Sequence, residues 1–462
     1  MGSIVRVHRD FTAIAIISLV VACGGGGGSS ATTATVTTTS APAFESPHPD
    51  IWETASPSDA GFDEGLLNSA FDYAMTDGFY SQAVLLIKNG KLVKEQYRGI
   101  TDGEAATLAS TSALPEAQNA GYWQNLYGAR NADSPVTSWS TAKSFTSVLI
   151  GMAIEQGLIE SASQPASDFI DEWRGDDRAN ITIQQILDMR SGLVPRCSSA
   201  EAAVVGDCGD FFSASSGGNI VYAVDQLSGC IDRDFAVPGE FYPWVSPPAG
   251  GFYESGQFYY SNCDTQLLGE ILFRATGQDP GLFAQQNLFE PLFIEADWWR
   301  DDVAGGQANG NFLTYCCLDT TAKDFAKFGY MLLLGGVETS EGTQYESYIS
   351  TILGQEETYR NQFWAYCDTQ PFTASADCEN VLLLTIGFDG QYILVDQIND
   401  IVLVRNSLYE PILNFSDERK MRLNPLALSE SNWVASLPSA MRGPGTEFGI
   451  LTFYLAVADA LQ

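Results

Sequence analysis

Apolar residues recur along this chain in two different periods, and the order of the periods outlines an architecture. Strand-like runs at 83–88 and 92–97 flank Asn89-Gly90-Lys91. An Asn-Gly step between two such runs is a strong signal for a β-hairpin. Strand-like runs return at 381–386, 391–396 and 400–406, separated by short breaks. Because short connections favour antiparallel neighbours, we expect these strands to be antiparallel.

Between the two groups of strands, apolar positions repeat at the spacing of an α-helix. One stripe runs from Ser140 to near Gly157, a second covers 183–187, and a third ends at Gly277. Thr321-Ala322-Lys323-Asp324 has the form of a capping box ahead of a fourth stripe. The apolar stretch 448–461 predicts a short helix packed on the core. This order predicts an α+β fold in which an antiparallel sheet flanked by helices, built from both chain ends, receives an inserted, mainly helical domain.

The N-terminus has the pattern of an export signal. Arg6 and Arg9 precede an apolar run at 11–21, which is too short to span a bilayer. The run ends in Val20-Val21-Ala22-Cys23, which resembles the bacterial lipobox, so we expect lipid on Cys23. The alternative is an ordinary cleavage site with an incidental cysteine. By resemblance to the sorting of Gram-negative lipoproteins, Gly24 after the cysteine favours the outer membrane.

These patterns predict five segments along the chain. Residues rich in Gly, Ser, Thr and Ala follow Cys23 and are typical of a flexible linker. We expect a signal peptide at 1–22, a flexible tether at 23–50, a first part of the sheet domain at 51–130, the inserted helical domain at 131–375 and a second part of the sheet domain at 376–462.

The overall composition excludes several classes of protein. Of the 462 residues, 45% are apolar, which is too many for a disordered polymer, and no run of about 18 apolar residues indicates a polytopic membrane protein. The formal net charge is −34, from 57 acidic and 23 basic residues. A nucleic-acid backbone would be repelled by such a protein, so we expect no nucleic-acid partner.

Histidine is nearly missing, which limits the possible chemistry. Only His8 and His48 occur, and both precede the region that we expect to fold. A Ser-His-Asp triad and a histidine-rich zinc site therefore lack their residues, and we expect neither a metal ion nor another cofactor. If the protein is a hydrolase, its base must be Lys, Tyr, Asp or Glu.

Cysteine usage agrees with export. Nine cysteines minus Cys23 leave eight, and an even number in an exported chain suggests disulfides. Cys197/Cys208 and Cys367/Cys378 each close a short loop, so we expect these two pairs. The partners of the other four are left open: Cys230, Cys263, Cys316 and Cys317. Buried free thiols are the alternative.

The candidate chemistry concentrates at Ser140-Thr141-Ala142-Lys143, the only S-x-x-K in the chain. On a helix, positions i and i+3 share a face, so the lysine amine can reach the serine hydroxyl. A hydroxyl becomes a good nucleophile when an adjacent base takes its proton, and burial lowers the pKa of lysine enough for this task. The alternative is a surface Ser and Lys at the start of a helix.

From this motif onward, the chain resembles the serine β-lactamase and penicillin-binding superfamily in its class C-like branch. That branch includes DD-carboxypeptidases, esterases and 6-aminohexanoate-oligomer hydrolases. The similarity runs from about Trp52 to Arg405. Four stretches carry it: 139–146 around the nucleophile, 181–193 with its Met-Arg-Ser-Gly-Leu end, Tyr260-Ser261-Asn262 followed by Leu267-Leu268-Gly269, and the 324–329 helix.

The resemblance implies roles for four residues. Ser140 would be the nucleophile and Lys143 its base. Tyr260 would accept or relay protons, provided that a nearby ammonium lowers its pKa. Asn262 would hold Lys143 or the substrate through its amide. A second Y-x-N at Tyr359-Arg360-Asn361 lacks the following Leu-Leu-Gly helix, so we discount it. A buried structural tyrosine is the alternative for Tyr260.

The third motif of the family is altered in this chain. The stretch Gly387-Phe388-Asp389-Gly390-Gln391 stands where the family has a Lys-Thr-Gly or its histidine form, so Phe388 replaces the cation. By the same match, the backbone N–H groups of Ser140 and Gln391 would form the oxyanion hole. Arg405 could restore the missing cation. The alternative is that 387–391 is only a bend between strands.

Two functions of different classes follow from the sequence. The first is a serine hydrolase that cleaves a small-molecule or short-oligomer ester or amide through an acyl-enzyme on Ser140. The second is an inactive hydrolase-like lipoprotein that acts as a binding module, because a fold does not guarantee a function. The four intact residues favour the first, and the altered third motif keeps the second open.

Overall fold

The strands predicted near the two ends of the chain meet in one seven-stranded antiparallel sheet. In this computed structural model, the order across the sheet is β2-β1-β12-β11-β10-β9-β8. Its strands are β1 (Ser81–Lys88), β2 (Lys91–Tyr97), β8 (Tyr359–Arg360), β9 (Phe363–Cys367), β10 (Val381–Gly387), β11 (Gln391–Asp396) and β12 (Ile401–Ser407). The central contact joins β1 to β12, with Leu86 opposite Leu403. An N-terminal strand thus pairs with a C-terminal one, as the order of elements predicted.

The structure describes residues 47–111, 118–194, 226–242, 252–301, 310–369, 378–388, 390–408, 414–415, 421–422 and 448–462. All of them lie within one compact unit, 45–462. Smaller sheets contain β3 (Val136–Thr137), β4 (Ala296–Trp298), β5 (Leu318–Thr320), β6 (Val337–Thr339), β7 (Gly342–Gln344), β13 (Asn414–Phe415) and β14 (Met421–Arg422).

The helices fall where the apolar stripes predicted them, with several more between. They are α1 (Glu64–Ala74), α2 (Asp102–Thr111), α3 (Ala120–Tyr127), α4 (Ala142–Glu155), α5 (Ile183–Leu187), α6 (Gln226–Ile231), α7 (Asn262–Thr276), α8 (Pro280–Ala284), α9 (Ala322–Leu334), α10 (Glu346–Leu353) and α11 (Ile450–Ala458). Among the described residues, none of the helices combines the length and the apolar character needed to cross a bilayer.

Local signals in the sequence explain where these elements begin and end. Asn89 and Gly90 both have positive φ, which a tight turn between β1 and β2 requires. Thr321 caps α9, because its hydroxyl accepts a hydrogen bond from the N–H of Asp324. The left-handed Gly277 ends α7. The hairpin and the helix boundaries were therefore readable from the sequence.

The large sheet separates two hydrophobic cores, because successive side chains of a strand point to opposite faces. Val84 and Leu86 of β1 belong to one core together with α1 and α11. Leu85 and Ile87 belong to the other, which contains α4, α7 and α9. This α+β arrangement, an antiparallel sheet flanked by helices, confirms the predicted fold class.

His48 is part of the fold, so the expectation that both histidines precede it is wrong. Its side chain is buried, and its Nε2 accepts a hydrogen bond from the N–H of Glu338. Burial lowers the pKa of His48 to about 4, so the ring is neutral and packs edge-on against Tyr330. The export signal, Cys23 and most of the expected tether lie outside the described residues.

Three cysteine pairs lie at disulfide distance in the described residues. Cys367 and Cys378 form one of the two expected pairs. Cys197 and Cys208 lie outside the described residues. The four cysteines that the sequence left open pair as Cys230–Cys263, which links α6 to α7, and as the adjacent residues Cys316–Cys317.

Candidate active site

Ser140 lies in a short 3-10 turn, Trp139–Thr141, immediately before α4. Trp139 has a φ of +44°, an unfavourable value for a residue with a Cβ, so the backbone is strained one residue before the candidate nucleophile. The hydroxyl of Thr141 donates to the carbonyl of Gln391 at 3.0 Å. The turn is therefore held against the sheet on the far side of Ser140.

Lys143 lies in the first turn of α4, and its side chain is 1% exposed. Its Nζ is 3.0 Å from Ser140 Oγ, 2.8 Å from Asn262 Oδ1 and 2.8 Å from the carbonyl oxygen of Tyr315. Removal from water lowers the pKa of Lys143 well below its usual value. Burial therefore favours the neutral form of the amine.

The partners of Lys143 fix the direction of its lone pair. A neutral amine has two N–H bonds and one lone pair. Asn262 and Tyr315 each offer a carbonyl oxygen, which only accepts, so they take the two N–H bonds. The lone pair is left facing Ser140, whose hydroxyl can donate to it. This arrangement is what a general base for a serine nucleophile requires.

Tyr260 completes the cluster from the residue before the cap of α7. Although 36% of the side chain is exposed, its hydroxyl lies inside the site, hydrogen-bonded to the Ser140 side chain. Burial raises the pKa of Tyr260 to about 12. The sequence had suggested a pKa lowered by a nearby ammonium, but removal of the phenol from water shifts it in the opposite direction. The Tyr260 phenol therefore keeps its proton at neutral pH and can donate it.

The end of β10 and the start of β11 lie against the nucleophile turn. A Cβ on Gly387 would come within 2.2 Å of the carbonyl oxygen of Ser138, so only glycine allows this approach. Phe388 is 40% exposed, and its ring packs edge-on against Trp139 with the centroids 5.9 Å apart. Asp389 lies outside the described residues. Gly390, with a φ of +91°, closes the turn.

Gln391 directs its side chain away from the nucleophile. Its Nε2 donates to the carbonyl oxygens of Ser407 and Leu408, and its Oε1 accepts from Asn406 and Ser407. Its main chain is the part that faces the Ser140 turn, through the bond from Thr141. The assignment of the Ser140 and Gln391 N–H groups as an oxyanion hole stays a prediction.

Arg405 does not supply the missing cation to this side of the turn. It is fully buried on β12 and donates to Ser81 Oγ and to the carbonyl oxygens of Gly390 and Phe79. Its guanidinium also lies over the ring of Phe448. The guanidinium therefore makes its hydrogen bonds within the buried sheet, and one of them holds the carbonyl of Gly390.

An aromatic row, defined as Tyr260, Trp364 and Tyr366, leads away from Ser140. The rings of Tyr260 and Trp364 are stacked with centroids 6.0 Å apart, and those of Trp364 and Tyr366 are stacked at 6.3 Å. Trp364 and Tyr366 are both partly exposed on β9. Tyr359 packs edge-on against Trp364 and supports the row. These rings place uncharged aromatic side chains beside the Ser140 cluster.

Sequence reasoning missed three contributors to this site. Tyr315 acts through its backbone carbonyl, which leaves no side-chain signature. Trp364 lies on β9, a strand whose alternating apolar residues could have been recognised. Tyr359 was discounted as a second Y-x-N motif, yet its ring contacts that of Tyr260.

Comparison with known proteins agrees with this geometry. Residues 67–205 match the β-lactamase family. A 6-aminohexanoate-dimer hydrolase from Paenarthrobacter ureafaciens is 26% identical over 280 residues, which cover 58% of this chain and 64% of the length of that relative. A Bacillus anthracis protein assigned provisionally to the same activity superposes with a TM-score of 0.50 at 18% identity, over 77% of this chain and 81% of its own.

The family match covers the stretch that contains Ser140 and Lys143, and the solved structure shares the overall fold of this chain. Together with the relative, this match supports the serine β-lactamase and penicillin-binding protein superfamily for this chain.

Proposed function

We propose that this protein is a serine hydrolase that cleaves an uncharged ester or amide through an acyl-enzyme on Ser140. The observation that carries the proposal is the 3.0 Å contact between Ser140 Oγ and the buried amine of Lys143. A lysine is rarely buried without a strong reason, and a lowered pKa beside a hydroxyl suits a general base.

The contacts support a sequence of proton transfers. Lys143 takes the proton of Ser140 as Oγ attacks the substrate carbonyl, which forms a tetrahedral oxyanion. The hydroxyl of Tyr260 protonates the leaving group as the C–O or C–N bond breaks, and the proton on Lys143 replaces it. A water molecule then attacks the ester on Ser140, with the same groups acting in reverse, and restores the enzyme.

The surroundings of the site favour a substrate without charge. Phe388 replaces the cation that relatives place at this turn, and Arg405 is occupied inside the sheet. The aromatic row offers area to apolar or planar groups, and rings of this kind contribute through burial and stacking. We infer a small molecule or short oligomer whose acyl or leaving group lies on these rings.

The decisive experiment is covalent trapping. The full chain is incubated with a fluorophosphonate and digested, and the modified peptide is identified by mass spectrometry. Modification of Ser140 supports the proposal, whereas an unmodified Ser140 under conditions that label a known serine hydrolase contradicts it. Hydrolysis of p-nitrophenyl esters, nitrocefin, D-Ala-D-Ala peptides and linear amide oligomers would then identify the acyl donor.

A binding module without activity is the second candidate, and the altered third motif is the observation that favours it. In that case Ser140 would stay unlabelled while the chain still binds a ligand. The trapping experiment therefore separates the two functions.

We also propose that lipid on Cys23 anchors the protein to a bacterial membrane, in keeping with the lipobox-like sequence. The full-length protein should partition with membranes in its host, whereas a chain that begins at Ile51 should be recovered without lipid. An unmodified Cys23 in the mature protein would refute the anchor. Stable anchoring requires more than one acyl chain.

A further inference from the structure

The carbonyl that orients Lys143 belongs to an unusual segment of backbone. Tyr315 is followed by Cys316 and Cys317, whose sulfur atoms lie at disulfide distance although the residues are adjacent. Both cysteines are 1% exposed. A disulfide between neighbours closes a ring of eight atoms, which removes most of the rotational freedom of the intervening backbone.

This segment contacts the nucleophile machinery at both of its ends. At one end, the carbonyl oxygen of Tyr315 accepts from Lys143 Nζ at 2.8 Å. At the other, the N–H of Leu318 donates to Ser138 Oγ at 2.9 Å, and the N–H of Ser138 donates to the carbonyl of Leu318 at 2.8 Å. Only the two cysteines separate these contacts, so their conformation links the carbonyl that holds Lys143 to the backbone at Ser138.

The backbone between these contacts adopts a conformation that needs support. Cys317 has a φ of +66°, which is unfavourable for a residue with a Cβ. Contacts around it hold the same geometry: the indole of Trp298 donates to the carbonyl of Cys316, and the N–H of Trp299 donates to that of Cys317. An intact ring would keep Cys317 in this region, whereas separate thiols would leave it free to relax.

We propose that the Cys316–Cys317 disulfide is a positioning element for the general base. It fixes the Tyr315 carbonyl, which takes one N–H of Lys143 and so directs the lone pair at Ser140. Oxidising compartments, to which the export signal would send the chain, favour such a bond. The inference rests on the proposed role of Lys143 as base.

The test compares three variants by the rate at which a fluorophosphonate labels Ser140 between pH 5 and pH 10. Cys316→Ser/Cys317→Ser should label at least tenfold more slowly at pH 7, and its half-maximal rate should move to higher pH. The reason is that a loosened segment admits water to Lys143 and weakens the desolvation that lowers its pKa. Cys367→Ser/Cys378→Ser, which removes another disulfide, should stay within twofold of wild type.

A third variant separates positioning from general stability. Cys316→Ser/Cys317→Gly lacks the ring but has a residue that adopts positive φ without penalty. It should recover a large part of the lost labelling rate. It also replaces the double serine variant in the test if that variant does not fold. Wild-type rates and an unchanged pH profile in a folded variant, whatever its melting temperature, would overturn the inference. Failure of the wild type itself to label would instead contradict the proposed function.

Discussion

The side-chain oxygen of Asn262 lies 2.8 Å from Nζ of Lys143. An uncharged acceptor at this place holds the amine without a countercharge, so burial remains free to lower the pKa of the lysine. The lowered pKa of Lys143 thus depends on Asn262 being an amide and not an acid.

We therefore expect Asn262→Asp to shift the rise in activity to higher pH. A carboxylate beside the amine favours the ammonium and raises the pKa of Lys143 by about 1–3 units. Activity requires the neutral amine, so the rising limb of kcat/KM should move upward by that amount. The control is Asn119→Asp, which adds the same charge at the exposed cap of α3. An unshifted limb in Asn262→Asp would mean that Lys143 is not the titrating base.

Ser140→Ala should abolish turnover and leave the fold intact, because the loss of one hydroxyl has little effect on stability. Lys143→Ala should lose nearly as much activity, since the two groups act as a unit. Steady-state kinetics and thermal unfolding measure the two effects, with Ser69→Ala on the surface of α1 as control. More than about a tenth of the wild-type rate in Ser140→Ala would exclude this nucleophile, whose loss should cost several orders of magnitude.

Phe388→Lys should improve the use of substrates that carry a free carboxylate. A charge-assisted hydrogen bond is worth about 1.5–3 kcal/mol, roughly ten- to hundredfold in discrimination, and the exposure of Phe388 places the gain at the lower end. The measurement is kcat/KM for a neutral ester and its carboxylate analogue. Phe241→Lys, at another exposed phenylalanine, controls for the added charge. A wild type that already prefers the carboxylate would contradict our placement of the third motif.

Trp364→Ala should weaken binding of substrates with planar groups more than of small ones. Loss of a stacked ring costs about 0.5–1.5 kcal/mol beyond the buried area. We expect KM to rise severalfold for a phenylacetyl ester and to change little for the acetyl ester, with kcat nearly constant. Trp364→Phe, which keeps a ring on β9, should have KM values between those of the wild type and of Trp364→Ala. Equal losses for both esters would place the aromatic row outside the substrate site.

Asp264→Asn should flatten the pH dependence of stability. Burial raises the pKa of Asp264 to about 7, against 3.8 in the unfolded chain, and Ser191 donates to one of its oxygens. Between these pH values only the folded state keeps the proton, so the free energy of unfolding falls as the pH rises toward 7, by at most about 4 kcal/mol. Melting temperatures from pH 4 to 8 should decline less in Asp264→Asn than in wild type or in Asp72→Asn, an exposed control. Parallel declines would contradict the raised pKa.

The fold was readable from the sequence because its signals are local. The Asn89-Gly90 turn, the Thr321 cap and the apolar periods each act over a few residues, and the helices and strands followed. A sheet built from both chain ends was inferred only from the order of elements, and the structure shows it in the pairing of β1 with β12. The extension of the sheet by β8 and β9 was not predicted: the two residues of β8 leave no pattern, and the alternation in β9 could have been recognised but was not.

The site was readable only where chemistry resides in side chains. Ser140, Lys143, Tyr260 and Asn262 were recognised, and the structure brings them together. Tyr315 was not, because a carbonyl has no sequence signature. The direction of the pKa shift of Tyr260 was also missed, because it follows from the burial of the phenol, which only the structure shows.

The pairing of β1 with β12 also constrains the order in which the chain can fold as it is synthesised. The strand at 81–88 leaves the ribosome more than 300 residues before its partner at 401–407. Contacts so distant in sequence form late and slowly. The hydrogen bond from Thr141, next to Ser140, to the carbonyl of Gln391 likewise joins residues far apart in the sequence. The turn that contains Ser140 therefore acquires this support only when nearly the whole chain has been synthesised.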